Sequence, residues 1–230
     1  MKERFTLKET SAWITADEKR YIEIAKETLK ERRKHLDRFV RWHPYFAVTL
    51  EEYEIGEKKE VPAIVRIMIK SATKFGMGPM SAVAGALAEF AVIAMQDAGA
   101  AYAMVDNGGD IALVTDREVR VGIYAGESPF SNKIALKIRP CSSLLGICTS
   151  SGTVGHSISF GNADAATVIS NSASLSDAAA TALCNSVTDA HSVKNSFHAI
   201  NHVKEIKGAL VIYKEMLARW GSNMPEIVRL

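Results

Sequence analysis

From Pro140 to Val193 the chain contains neither Lys nor Arg. Within that span, Cys148–Val187 reads CTSSGTVGHSISFGNADAATVISNSASLSDAAATALCNSV. Ser, Ala, Gly, Thr and Asn dominate it, and residues this small let backbones approach a neighbour or a ligand closely. Its polar anchors are Thr149, Ser150, Ser151, His156, Asp164, Asp177 and Thr181. With no cationic side chain in the segment, an anion held there would need backbone N–H groups, helix N-termini or a bridging metal. The alternative is an Ala-rich segment used only for packing.

The basic residues crowd the first seventy or so positions instead, and the net charge of +2 argues against a dedicated nucleic-acid binder. Three cysteines, Cys141, Cys148 and Cys184, give no disulfide framework and suit a reducing compartment. The first residues, MKERFTLKET, lack the apolar core of a signal peptide. The longest apolar candidate, Met80 to Met95, is broken by Ser81, Gly85 and Glu89, short of the about 18 residues that read as a membrane span. These features lead us to expect a cytoplasmic protein without a membrane or nucleic-acid partner.

Along the chain, Arg4 to Trp13 reads as one or two edge strands. Thr15-Ala16-Asp17-Glu18 matches a capping box, which predicts a helix from Ala16 to Trp42. On it Lys30, Arg32, Arg33 and Lys34 read as a solvated face. His43-Pro44-Tyr45 ends the helix, Glu51 to Glu60 is an acidic connection, and Pro62 to Lys74 is a second helix. Pro79 suits a first helical position, and the small, apolar helix running on to about Ala98 reads as a buried central element. Glu89 within it needs a partner. Strands are expected at Tyr102–Val105, Ile111–Thr115, Glu118–Tyr124, Lys133–Ile138, Leu145–Thr149, Ala165–Ser170 and Ala209–Tyr213. Ser176 to about Asp189 is a helix with Asp177 in its first turn, Phe197–Val203 a short helix, and Met216–Leu230 a terminal hairpin.

Asp177 and Thr181, spaced i, i+4, share a helix face and offer two hard oxygens to a cation such as Mg²⁺; the pair is also compatible with a cap and an ordinary Thr. Cys184 falls on that face too, as a cleft thiol or, more commonly, as packing. Asn107-Gly108-Gly109-Asp110 between two strands is a glycine turn. Thr149-Ser150-Ser151-Gly152 is similar to a phosphate-cradling loop without the P-loop lysine. His156 is a candidate acid–base group or a loop histidine, and His198 and His202 read as surface residues.

The order NGGDI, TSSG, SDAAATAL resembles the ApbE family of flavin transferases, with its NLGGDI turn, TSGD loop and ADALATAL helix. The matching residues are Asn107–Ile111, Thr149–Gly152 and Ser176–Leu183, within a resemblance over roughly Met77 to Val187. GPMSAVAGA and TSSGTVGHS are similar to the uncharacterised, signal-less branch of archaea and anaerobic bacteria. The resemblance implies a single α+β domain over 1–230 with layered sheets, a helical extension over about 1–60, and a flavin-nucleotide cleft. It implies Mg²⁺ on Asp177 and Thr181, nucleotide contacts from Asn107, Gly108, Gly109, Asp110, Thr149, Ser150, Ser151 and Gly152, and His156 as the catalytic candidate. FAD is the expected cofactor or substrate, for FMN transfer or FAD hydrolysis; the partner is a small-molecule nucleotide, and a homo-oligomer stays open. Two departures weigh against a straight transfer of activity. The family's Lys-Gly signature with a following Asp is Ala84-Gly85 with Glu89 here, and its His-Ile-Asp-Pro segment is reduced to His156-Ser157-Ile158. A non-catalytic flavin or nucleotide binder, or a sulfur-handling protein of anaerobic homocysteine synthesis, are the alternatives.

Overall fold

The computed structural model describes residues 1–56, 61–153 and 160–230. Its strands are β1 (Lys2–Leu7), β2 (Thr10–Ala16), β3 (Ala103–Asn107), β4 (Asp110–Thr115), β5 (Val119–Gly122), β6 (Ile134–Ile138), β7 (Cys141–Ser150), β8 (Ala165–Ser170), β9 (Ile206–Tyr213), β10 (Met216–Trp220) and β11 (Glu226–Arg229). Its helices are α1 (Lys19–Trp42), α2 (Tyr45–Val48), α3 (Ala63–Thr73), α4 (Val83–Asp97) and α5 (Ala173–Asn185), with 3-10 turns at Pro79–Ala82 and Ser196–Ala199. Eight strands form one sheet in the order β1-β2-β3-β4-β7-β8-β9-β10, and β11-β6-β5 form a second. Every pairing is antiparallel, which gives the expected α+β class.

Alternation along the central strands separates two cores. Ala112, Val114, Cys148, Val168 and Val211 face the helices, whereas Ile111, Leu113, Ile147, Ile169 and Leu210 face the second sheet. The centre of the large sheet is therefore buried on both faces, and β8 is buried at all six positions. The helical layer needs close approach. A Cβ on Gly146 would stand 2.5 Å from Ala173 Cα, and one on Gly85 would stand 2.2 Å from Ala173 O, so the small residues bring β7, α4 and α5 together. The 3-10 turn and α4, Pro79–Asp97, are long and apolar enough by length and composition to cross a membrane, which the interrupted apolar run had hidden. Most of α4 is instead packed against α1, α5 and the sheet.

Several expectations are corrected. Thr15 and Ala16 belong to β2, paired with Met104 and Ala103, so the capping box does not form; α1 starts at Lys19 without a side-chain cap. The segment 1–60 accordingly opens with two strands of the main sheet before any helix. The C-terminal strands do not form a hairpin, because β10 joins β9 while β11 joins β6 in the other sheet. The basic run of α1 is solvated at Lys30 and Lys34 but half-buried at Arg32 and Arg33, and it is ion-paired: Lys30 meets Glu27, and Arg33 meets Asp37 and Glu9. Arg32 lies 4.7 Å from the Phe90 ring centroid. The acidic connection at 51–60 lies partly outside the described residues.

Candidate functional site

Asp177 belongs to the second turn of α5, not the first. The helix begins at Ala173, capped by Ser172, whose Oγ accepts from Leu175 N–H at 3.3 Å. Asp177 instead serves the start of α4: its Oδ2 accepts from Gly85 N–H at 2.8 Å. One turn along α5, the half-buried Thr181 hydroxyl donates to Asp177 O at 3.2 Å. Cys184, on the same face, is fully buried, as packing requires.

The glycine turn faces this corner. Gly108 (φ 74°) and Gly109 (φ 104°) adopt the positive φ that joins β3 to β4 through two residues. The turn is fixed from both sides: Gly109 N–H donates to Asp106 Oδ1 at 2.9 Å, and Asn107 Nδ2 donates to Ala84 O at 3.2 Å. Asp110 pairs in register with Cys148, so both lie on the helix-facing side of the sheet. The Cys148 thiol donates to Ala173 O at 3.2 Å.

This corner gathers three acidic groups whose ionisation is opposed by their surroundings. Burial, and then the nearby Asp177 carboxylate, push Asp110 well above the usual carboxylate range, while a hydrogen bond with Cys148 pulls the other way. Burial raises Asp177 to about 7, against the downward pull of the Gly85 and Ala84 N–H groups. Burial, Asp110 and Asp177 together hold the Cys148 thiol protonated. None of the groups acting on these three is a cation among the described residues.

Among the described residues, part of the TSSG segment is engaged with neighbouring strands. Thr149 lies on the other face of β7, its hydroxyl 2.8 Å from Thr167 Oγ1 across the ladder. Two of the segment's amides are committed to protein: Thr149 N–H donates to Gly109 O at 3.1 Å and Gly152 N–H to Ala163 O at 2.9 Å. Ser151 Oγ reaches Ala163 O at 3.4 Å, and Ser150 is buried at the strand end. His156 lies outside the described residues. His198 is exposed, and His202 Nε2 is 2.9 Å from Lys74 O. The structure thus unites Asn107, Gly108, Gly109, Asp110 and Asp177, with Thr181 one turn away. It adds Cys148 and the N-terminus of α4, which spacing alone did not reveal; the lone Gly85 inside an apolar helix was the available signal.

The donor set suits Mg²⁺, a hard cation that takes oxygen ligands. A carboxylate has about four acceptor positions, so the two N–H groups at Asp177 leave room for a ligand bond. Among the described residues no group of three or more His, Cys, Asp or Glu side chains is arranged to hold a metal. Ligation here would therefore draw on Asp177, the Thr181 hydroxyl and oxygens of a bound phosphate or water.

The fold, a helical layer on an eight-stranded sheet backed by a three-stranded one, is shared with solved flavin transferases. The chain superposes on the apo flavinyl transferase ApbE of Pseudomonas stutzeri with a TM-score of 0.60 and 13% identity, over 96% of this chain and 94% of that one. For the flavin transferase ApbE of Vibrio cholerae the TM-score is 0.51 with 12% identity, over 97% of each chain. The chain itself belongs to the family described as AbpE bacteria, whose model matches residues 2–205. Its relatives include UPF0280 proteins of Methanosarcina barkeri, 52% identical over all of this chain and 89% of that protein, and of Methanococcoides burtonii, 49% identical over all of this chain and 95% of that protein.

Proposed function

We propose that this chain binds a flavin or another phosphate-bearing nucleotide together with Mg²⁺ at the corner of Asp177, Thr181 and Asp110, and acts on it by FMN transfer or FAD hydrolysis. The observation that carries the reading is the placement of the half-buried Asp110 near the buried Asp177 on the helix-facing side of the sheet, with no cation among the described residues acting on either. Two carboxylates in such surroundings favour a bound cation over mutual repulsion. When bound, Mg²⁺ polarises a phosphoryl oxygen and neutralises charge on the leaving group. Asp177 supplies an anionic oxygen held in place by Gly85 N–H, and Thr181 supplies a neutral one. The Gly108-Gly109 turn, with no side chains to obstruct it, lets the ligand approach the strand end, where Asp110 meets a hydroxyl or ring nitrogen. His156 remains the candidate to move a proton. A cysteine carrying sulfide is disfavoured at Cys148, since burial and two carboxylates oppose the thiolate that such chemistry needs.

Calorimetric titration of FAD with and without Mg²⁺ tests the reading. Binding should depend on Mg²⁺ and be lost in Asp177→Ala, with the circular dichroism of the fold retained. Mass analysis of the mixture for FMN and AMP then separates turnover from binding alone. Equal FAD binding with and without Mg²⁺ would overturn the assignment.

A further inference from the structure

Helices α4 and α5 meet near their N-terminal ends, and each gives the other a carboxylate. Asp177 of α5 accepts the N–H of Gly85, the third residue of α4, at 2.8 Å. Glu89 of α4 accepts the N–H of Ser174, the second residue of α5, at 2.9 Å, and the hydroxyl of its cap Ser172 at 2.8 Å. Both carboxylates are buried, Asp177 at 8% and Glu89 at 6% exposure. First-turn amides have no partner within their own helix, so each carboxylate satisfies donors that burial would otherwise leave orphaned. Between the two caps, the absent side chain of Gly85 lets the helices touch at Ala173.

A serine network extends the Glu89 end. Ser174 Oγ is 3.0 Å from Ser71 Oγ of α3, and Ser176 Oγ is 2.9 Å from Ser170 Oγ and 3.2 Å from Gly146 O. The start of α5 is therefore tied to α3, β7 and β8 as well as to α4. Asp177 stands three residues beyond Ser174, and a shift at the start of α5 moves its carboxylate by a similar amount.

We propose that Glu89 and Asp177 form a reciprocal helix clamp, and that Glu89 is the positioning residue that fixes where the Asp177 carboxylate stands. Its consequence for cation affinity rests on the functional reading above; the clamp itself does not. A ligating carboxylate must be held to within roughly 0.5 Å, and its supporting partners carry that precision.

Amide hydrogen exchange followed by NMR on the full chain tests the clamp, with Mn²⁺ titration as a second arm. In Glu89→Ala, the Gly85 amide should exchange at least about tenfold faster, while Leu210 and Ile212 in β9 keep their rates. Glu89→Gln, which retains an acceptor, should restore most of the protection. The reciprocal variant Asp177→Ala should accelerate the Ser174 amide. If Glu89→Ala fails to fold, Glu89→Asp keeps the charge but not the reach and replaces it. The Mn²⁺ dissociation constant should rise about tenfold in Glu89→Ala. Unchanged Gly85 exchange, or equal acceleration of all slow amides, overturns the clamp. Faster Gly85 exchange with unchanged Mn²⁺ affinity overturns the positioning role. If the wild type binds no Mn²⁺, the functional reading and the positioning role fall together, and the exchange rates still decide the clamp.

Discussion

Gly85→Ala is the substitution for which local and tertiary reasoning give opposite signs. By helix propensity alone, Ala in place of an interior Gly stabilises by about 1 kcal/mol. The tertiary contact reverses this. The new Cβ would stand 2.2 Å from Ala173 O, 2.7 Å from Ala173 C and 2.8 Å from Asp177 Cβ, where 3.4–4 Å is ordinary contact. Two of those atoms are backbone, so relief requires the helices to part by roughly 1 Å in a layer packed to crystal density. Overpacking of this kind costs about 1–3 kcal/mol. Parting also stretches the Asp177–Gly85 hydrogen bond, worth about 0.5–1.5 kcal/mol. After the propensity gain, the net loss is about 0.5–3.5 kcal/mol, or roughly 1–14 °C in Tm for a chain of this size. Thermal and urea melts followed by circular dichroism measure it directly. A Tm equal to or above that of the wild type would refute the reasoning, because propensity would then have outweighed the contact.

Three further outcomes are expected. Gly109→Ala forces φ of 104° on a side chain and should lower the urea midpoint by an amount equivalent to about 1–2 kcal/mol; an unchanged midpoint would mean that the turn relaxes freely. With native protein, a thiol reagent should label Cys141 rapidly and leave the buried Cys148 and Cys184 unlabelled until unfolding; a second rapid equivalent contradicts this. The folded state keeps a proton on Asp177 up to about 7, whereas the unfolded chain releases it near the ordinary Asp value of about 4. Stability from this group is therefore full below about pH 4 and lost as pH rises through 7, on the order of a few kcal/mol. Wild-type stability relative to Asp177→Asn, in which the surface carboxylates cancel, should fall across that window and flatten with Mg²⁺. A rise across the window would show that the folded protein favours the charged form.

The amino-acid sequence determined whatever depends on near neighbours. Short apolar runs set off by turns marked the strands from Ala103 to Tyr213, Gly108-Gly109 set the turn between β3 and β4, and the small apolar run set α4 as a buried helix. The same order of motifs, NGGDI, TSSG and SDAAATAL, was enough to point to the family. Periodicity records which face of an element is apolar but not which element covers it, and there the tertiary structure decided. Thr15 and Ala16 read locally as a helix start, yet pairing with Met104 and Ala103 holds them in β2. Thr149 and Ser150 are adjacent in a motif, yet the strand's period of two sends the Thr149 hydroxyl to Thr167 on the face away from Asp177. In sequence, Asp177 read as a candidate Mg²⁺ ligand or a cap, and Glu89 as a charge in need of a partner. Only the approach of α4 to α5 across Gly85, residues nearly a hundred positions apart, gave each carboxylate an amide of the other helix.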